Sequence, residues 1–261
     1  IILLAGPTAS GKSKLAIHLA KKINGEIINA DSMQIYKEFS ILSSRPRKNE
    51  TKKIKHHLYG VVSVKKYFSV GDWHKEVKKK INLCFKNKKV PIIVGGTGLY
   101  FNTITKGISK IPDIDIKTRN NVRGLFKKLG LKKFYKKLLE LDPKAKNRIN
   151  SSDSQRIQRA YEVKLKTNKS LFDWFAGTKS DFSEFNLKKI FINIPRKDLL
   201  PRISKRTELM FKENCLSEVK RFNKLNLSKT LSANKLIGVQ EINHFLQDSI
   251  SLDECKELIN I

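Results

Sequence analysis

The stretch Gly6-Pro7-Thr8-Ala9-Ser10-Gly11-Lys12-Ser13 has the residue types and spacing to hold a phosphate. Gly6 and Gly11 let the backbone curl so that its N–H groups point at an anion. Lys12 adds a positive charge, Ser13 can hold Mg²⁺, and a helix starting there favours negative charge. The loop leaves open whether the ligand is ATP, GTP or a diphosphate. A second group, Asp31-Ser32-Met33-Gln34, offers a carboxylate for ligating Mg²⁺ through water, for accepting a proton from a nucleophile, or for capping the next helix. A third, Gly95-Gly96-Thr97-Gly98, has a glycine turn and a hydroxyl where an ATPase would often carry a metal-organising Asp. Ordinary ATP hydrolysis is therefore not the expected reaction. Arg202 and Arg206, one turn apart, could clamp a diphosphate. Gln155 and Arg159 share a helix face suited to phosphate and base-edge contacts, or to exposed salt bridges.

These groups need elements to position them. Ile1 to Ala5 reads as a buried strand, and Leu15, Leu19 and Ile23 recur at helical spacing after the loop. Glu26 to Ala30 and Val90 to Val94 read as further strands, and Lys188 to Ile194 as another. In a parallel α/β sheet the carboxyl ends of strands form one rim where ligands gather, which puts Asp31 and Thr97 beside the phosphate loop. Trp73, Val77, Ile81 and Cys84 mark a helix running to about Phe85, with Trp73 in the core. His56 to Val62 reads as a strand whose adjacent histidines point to opposite faces and cannot chelate one metal as a pair.

From 113 to about 186 no strand pattern appears, only amphipathic helices at 117–129, 131–141 and 153–166. Helices are again expected at 198–212, 216–225 and 234–246. The expected architecture is an α/β, P-loop NTPase-like parallel sheet core over 1–111 and 187–261, interrupted by an all-helical insertion at 112–186.

Fifty-four Lys and Arg against 24 Asp and Glu give a net charge of +30. Lys, Ile and Asn are heavily used throughout, so part of the surplus reflects composition. The remainder points to a polyanionic partner. Cys84, Cys215 and Cys255 lie far apart, without the spacing of a zinc or disulfide framework, which fits a reducing cytoplasm. No run approaches the roughly 18 apolar residues of a membrane span. The chain opens on Ile1 in mid-strand and stops at Ile261 after a helical pattern, so a fragment trimmed at both ends is expected.

With these residues in view, the chain resembles the tRNA dimethylallyltransferase family, bacterial type. The resemblance rests on GPTASGKS at 6–13, NADSMQIYK at 29–37, HHL at 56–58, VGGTGLYF at 94–101, RIQRAYEV at 156–163, Arg202 to Met210 and IGVQEI at 237–242, in that order. It implies dimethylallyl diphosphate, not ATP, in the phosphate loop, with Mg²⁺ on Ser13. It implies attack by an adenine exocyclic amine in the anticodon loop, with Asp31 as general base. Lys12 and Arg206 would stabilise the leaving diphosphate, and Thr97 would lie beside the adenosine. Asp31, Ser32, Met33, Gln34 and Thr97 are implied on the RNA side of the site. Arg119 and the stretch Gln155, Arg156, Ile157, Gln158 and Arg159 are implied to contact the tRNA anticodon stem-loop. A cytoplasmic enzyme without a membrane partner is expected from the cysteines and the lack of a long apolar run, and a monomer is expected.

The chain departs from the family pattern at Leu42-Ser43, Lys55, Asn214 and Gly238-Val239, none of which touches the implied chemistry. From its residues, a chain without the family's arginine-rich C-terminal helix or the zinc finger of some eukaryotic relatives is expected. A small-metabolite kinase or a non-catalytic RNA-binding protein would leave either the charge or the intact site residues unexplained. If Arg159 contacts a phosphate, Arg159→Ala weakens anticodon stem-loop binding and lowers the slope of log affinity against log salt by about 1. An unchanged slope in filter binding would remove that contact.

Overall fold

The structure is a computed structural model that describes residues 1–52, 54–228 and 231–260. Two compact units divide the chain. The first comprises Ile1–Ile104 and Glu184–Ile261, the second Thr105–Ser183, against boundaries at 112 and 186 expected from the sequence.

The first unit opens with β1 (Ile2–Ala5), α1 (Lys12–Lys22), β2 (Gly25–Asn29), the short α2 (Lys48–Thr51) and β3 (His56–His57). Next come α3 (Val70–Lys86), β4 (Val90–Gly95) and α4 (Gly98–Thr105). The strands form one sheet in the order β3-β2-β4-β1-β5, where β5 is Lys188–Phe191, and every pairing is parallel. Parallel strands need crossover connections, and α1 carries the chain from β1 past the place of β4 to β2, as α3 carries it from β3 past β2 to β4. All carboxyl ends thus face one rim. The central strands are apolar on both faces, as buried parallel strands must be, with Leu4, Ile28, Ile92 and Ile93 fully buried.

α3 is started by a reciprocal cap in which Ser69 Oγ accepts from Asp72 N–H and Asp72 accepts from Ser69 N–H. It carries Trp73 into the core, where the ring stacks on Tyr100 at 4.1 Å between centroids. After β5 come α8 (Arg196–Lys212), α9 (Cys215–Asn223), a 3₁₀ turn at Ser232–Lys235, α10 (Val239–Leu246) and α11 (Leu252–Asn260).

The second unit is helical, with no strand among its described residues. α5 (Ile116–Leu141) is broken at Gly130 (φ 69°, ψ 170°), which yields the two helices expected on either side of it. A 3₁₀ turn at Pro143–Ala145, α6 (Ser154–Thr167) and α7 (Leu171–Ala176) complete it. Phe134, Leu138, Ile157, Ala160 and Val163 form its buried centre.

Two expectations fail for backbone reasons. The strand expected over 56–62 stops at His57, because Leu58 turns left-handed at φ 63° and Gly60 follows at φ 60°. The helix expected over 234–246 is split by Gly238 at φ 97°, leaving the 3₁₀ turn and α10.

Two glycines predict opposite responses to an added methyl. A Cβ on Gly95 would lie 2.0 Å from Ala30 O, and one on Gly124, inside α5, would meet nothing within 4 Å. Gly95→Ala should destabilise the α/β unit by about 3 kcal/mol or more. Gly124→Ala should stabilise the helical unit by about 0.5–1 kcal/mol. Urea unfolding followed by circular dichroism checks both signs.

Candidate active site

The rim is assembled from the ends of β1, β2 and β4. Gly11, at φ 84° and ψ 7°, ends the phosphate loop in a left-handed turn that only glycine adopts cheaply, and α1 starts at the next residue. Ala9 is also left-handed, at φ 60°. Ser10 N–H donates to Pro7 O at 3.3 Å, and Lys12 Nζ donates to the same carbonyl at 2.9 Å. Ser10 Oγ is buried and has no hydrogen bond among the described residues. Gly6 is buried and Pro7 half-buried, whereas Thr8 and Ser13 are exposed. A curled loop, an orphaned buried hydroxyl and a helix N-terminus fit a phosphate. The hydroxyl of Ser13, in the first turn of α1, fits Mg²⁺.

Asp31 leaves the end of β2. Its Oδ1 accepts from Met33 N–H at 2.9 Å and from Gln34 N–H at 3.4 Å. No hydrogen bond reaches its Oδ2 among the described residues. No helix follows Asp31 before Lys48–Thr51, so the helix-capping alternative set from the sequence fails: Oδ1 closes a local turn and Oδ2 is left open. Thr97 approaches from β4, where its Oγ1 accepts from Ser32 N–H at 2.9 Å and lies 3.3 Å from Ser32 Oγ. Gln34 turns away from the rim, and its amide donates to Ser43 O at 3.0 Å and Ser44 O at 3.1 Å.

Charge ties these groups together. Burial lowers the Lys12 pKa; the Asp31 charge opposes that shift and the Arg206 charge adds to it. Burial likewise lowers the Arg206 pKa, again opposed by Asp31. Two partly buried cations therefore share one carboxylate, and a bound anion would relieve both. Arg202, expected on the same face, is exposed while Arg206 is half-buried.

Sequence reasoning missed three groups. Tyr59 is pushed up by burial and then by the Asp31 charge, so it stays a phenol beside the rim. Burial also raises Tyr100, with smaller contributions from Tyr36 and Asp31. Glu218 on α9 is buried and accepts from Ser40 and Ile41 N–H at 2.9 Å and from Leu42 N–H at 3.0 Å, fixing the loop that Gln34 also holds. No local pattern announces such long-range partners.

The helical unit carries the remaining residues. Gln155 and Arg156 are exposed, and Arg156 Nε lies 3.4 Å from Asp153. Arg159 pairs with the buried carboxylate of Glu162 at 3.5 Å. Gln158 donates to Ser154 O at 3.1 Å, and Arg119 is half-buried. Ile157 corrects the sequence expectation. Helical rotation turns it inward, and its side chain is fully buried and cannot reach RNA.

Elsewhere, Glu26, His57 and Cys84 bring one ligand atom each within 4.8 Å of one another. They already satisfy one another: His57 Nε2 lies 2.6 Å and Cys84 Sγ 3.6 Å from Glu26 Oε2. His56 bonds instead to Ile54 O at 2.7 Å, so the two histidines do part.

The family description "IPP transferase" matches residues 34–261. The chain belongs to the IPP transferase family. Relatives called tRNA dimethylallyltransferase include one from Pelagibacter ubique, 53% identical over 261 residues, covering 100% of this chain and 83% of that protein. One from Rickettsia felis is 43% identical over 255 residues, covering 97% and 82%. Among solved structures, the full-length tRNA isopentenylpyrophosphate transferase of Bacillus halodurans aligns with TM-score 0.69 and 28% identity over 99% of this chain and 81% of its own. A eukaryotic dimethylallyltransferase acting on tRNA aligns with TM-score 0.83 and 26% identity, over 100% and 66%. The parallel sheet of this IPP transferase thus has the P-loop NTPase-like fold expected from its sequence. No helix among the described residues is long and apolar enough to cross a membrane.

The lowered Lys12 pKa gives a signed test. An anion beside Lys12 favours its protonated form, so affinity is full below the lowered value and declines as pH rises through it. Titration calorimetry with inorganic pyrophosphate and Mg²⁺ should show this decline. In Lys12→Met it should be absent, with affinity about 10- to 100-fold lower. A Lys12→Met protein that binds as tightly as the parent would remove Lys12 from the site.

Proposed function

We propose that this member of the IPP transferase family transfers the dimethylallyl group of dimethylallyl diphosphate to the exocyclic amine of the adenosine 3′-adjacent to the anticodon in tRNA, releasing diphosphate. The observation that carries the reading is the placing of Asp31 on one rim with Lys12 and Arg206, beside a loop shaped for phosphate. A carboxylate with one oxygen held and the other unbonded suits proton abstraction. Two desolvated cations suit a leaving diphosphate.

In the reaction the amine nitrogen forms a bond to the allylic carbon, and the bond from that carbon to the diphosphate oxygen breaks. The electron pair goes to the diphosphate, and the amine proton goes to Asp31 Oδ2. Lys12, Arg206 and the loop N–H groups stabilise the charge growing on the leaving oxygens. Ser13 would hold Mg²⁺, which supplies further neutralisation of the diphosphate. The base must leave its stack to reach the rim. Thr97, already fastened to Ser32 beside Asp31, would border that base. On the helical unit, Gln155, Arg156 and Arg159 would meet the RNA backbone, in keeping with the net charge of +30.

The test is transfer of label from dimethylallyl diphosphate to an anticodon stem-loop carrying adenosine 3′ to the anticodon. Labelled RNA and free diphosphate in equal amounts are expected, with no transfer when that adenosine is replaced by guanosine. Diphosphate release without labelled RNA would contradict the reading. A ligand panel adds a second check, since ligands of the folded state raise its melting temperature. Mg²⁺ with pyrophosphate or dimethylallyl diphosphate should raise it more than Mg²⁺ with ATP, and a larger shift with ATP would count for a kinase.

A further inference from the structure

We propose that Asn29 is the positioning residue for Asp31: its buried amide clamps the Asp31 peptide on both sides and ties it to Leu58, and so sets where the carboxylate can reach. Asn29 ends β2 and is fully buried. Its Oδ1 accepts from Asp31 N–H at 2.9 Å, and its Nδ2 donates to Asp31 O at the same distance. The same Nδ2 donates to Leu58 O at 3.0 Å. One side chain thus fixes both polar groups of the residue two places on. A carboxamide, with an acceptor oxygen and a nitrogen carrying two donor hydrogens on the same carbon, can make this set.

The Leu58 contact matters because that residue is left-handed, at φ 63°, in the corner where β3 ends. An L side chain rarely stays in that region without support from its surroundings. The buried amide joins this corner to the end of β2. The main-chain carbonyl of Asn29 is held from a third element, since Trp73 Nε1 on α3 donates to it at 2.9 Å. Asn29 is thereby braced by α3, and Asp31 is braced by Asn29.

Asp31 Oδ1 is committed to the N–H groups of Met33 and Gln34. The direction of Oδ2 therefore follows from the backbone of Asp31, which Asn29 fixes. A general base must come within hydrogen-bond reach of the proton it takes, and a misplacement of about 1 Å can cost roughly 100-fold in rate. The inference rests on the reading of Asp31 as base. It adds that Asn29 touches neither substrate and acts only through Asp31.

The experiment measures single-turnover transfer with the full chain, alongside stem-loop affinity and the melting shift from Mg²⁺ with pyrophosphate. Asn29→Ala should slow the chemical step about 10- to 100-fold, with stem-loop affinity and the pyrophosphate shift unchanged. Asn29→Ser keeps an acceptor for Asp31 N–H and should fall between. It also serves if Asn29→Ala does not fold. In an Asp31→Ala background, Asn29→Ala should slow the residual reaction no further. A lower melting temperature with an unchanged single-turnover rate would reduce Asn29 to a structural role and overturn the proposal. So would an equal slowing in both backgrounds. Asp31→Ala turning over at the parent rate would overturn the base reading and this one with it. A slow Asp31→Ala beside a normal Asn29→Ala or Asn29→Ser overturns only this one.

Discussion

The close meeting of β2 and β4 beyond the end of their ladder is the contact on which the site depends. Ala30 N–H donates to Val94 O at 2.7 Å, and Thr97 N–H donates back to Ala30 O at 3.1 Å. Gly95 must pass so near the Ala30 carbonyl that a Cβ would sit 2.0 Å from it. This approach brings Asp31 and Thr97, far apart in sequence, to adjacent places on the rim. It also lets Thr97 Oγ1 capture Ser32 N–H. Were the strands to separate here, the carboxylate and the hydroxyl would no longer share a site.

Onto that frame the chain places an unfavourable arrangement of charge. Lys12 and Arg206 are both drawn from water, and the Asp31 charge opposes that cost at each. Apart from any ligand this costs stability, as functional sites often do. The tension has a direction. It favours an incoming anion at the cations.

The frame was largely legible in the sequence because its signals are local. The phosphate loop is spelled by Gly6, Gly11, Lys12 and Ser13 between an apolar run and a periodic one. The break at Gly130 divides α5 where the periodicity restarts. Elements failed where a single residue took a left-handed turn that its type does not advertise, as Leu58 does at the end of β3. Ile157 sat in the right motif but on the inner face, and Gln34 beside the right carboxylate but turned toward Ser43. Glu218 was silent because it serves main-chain groups across the fold, and Asn29 stood in a motif whose spelling does not say that its amide holds the main chain two residues on. Arg206 carried a signal through its spacing from Arg202 and through its motif; its half-buried setting, against the exposed Arg202, is a product of packing.

The central claim is that Asp31 takes the proton while Lys12 and Arg206 hold the leaving group. Rapid-quench single-turnover transfer, with stem-loop affinity measured on the same protein, tests it most directly for Asp31→Ala. The chemical step should fall by about 100-fold or more while RNA affinity stays at the parent value. An Asp31→Ala protein that binds the stem-loop weakly but turns over normally at saturation would contradict it and make Asp31 an RNA contact instead.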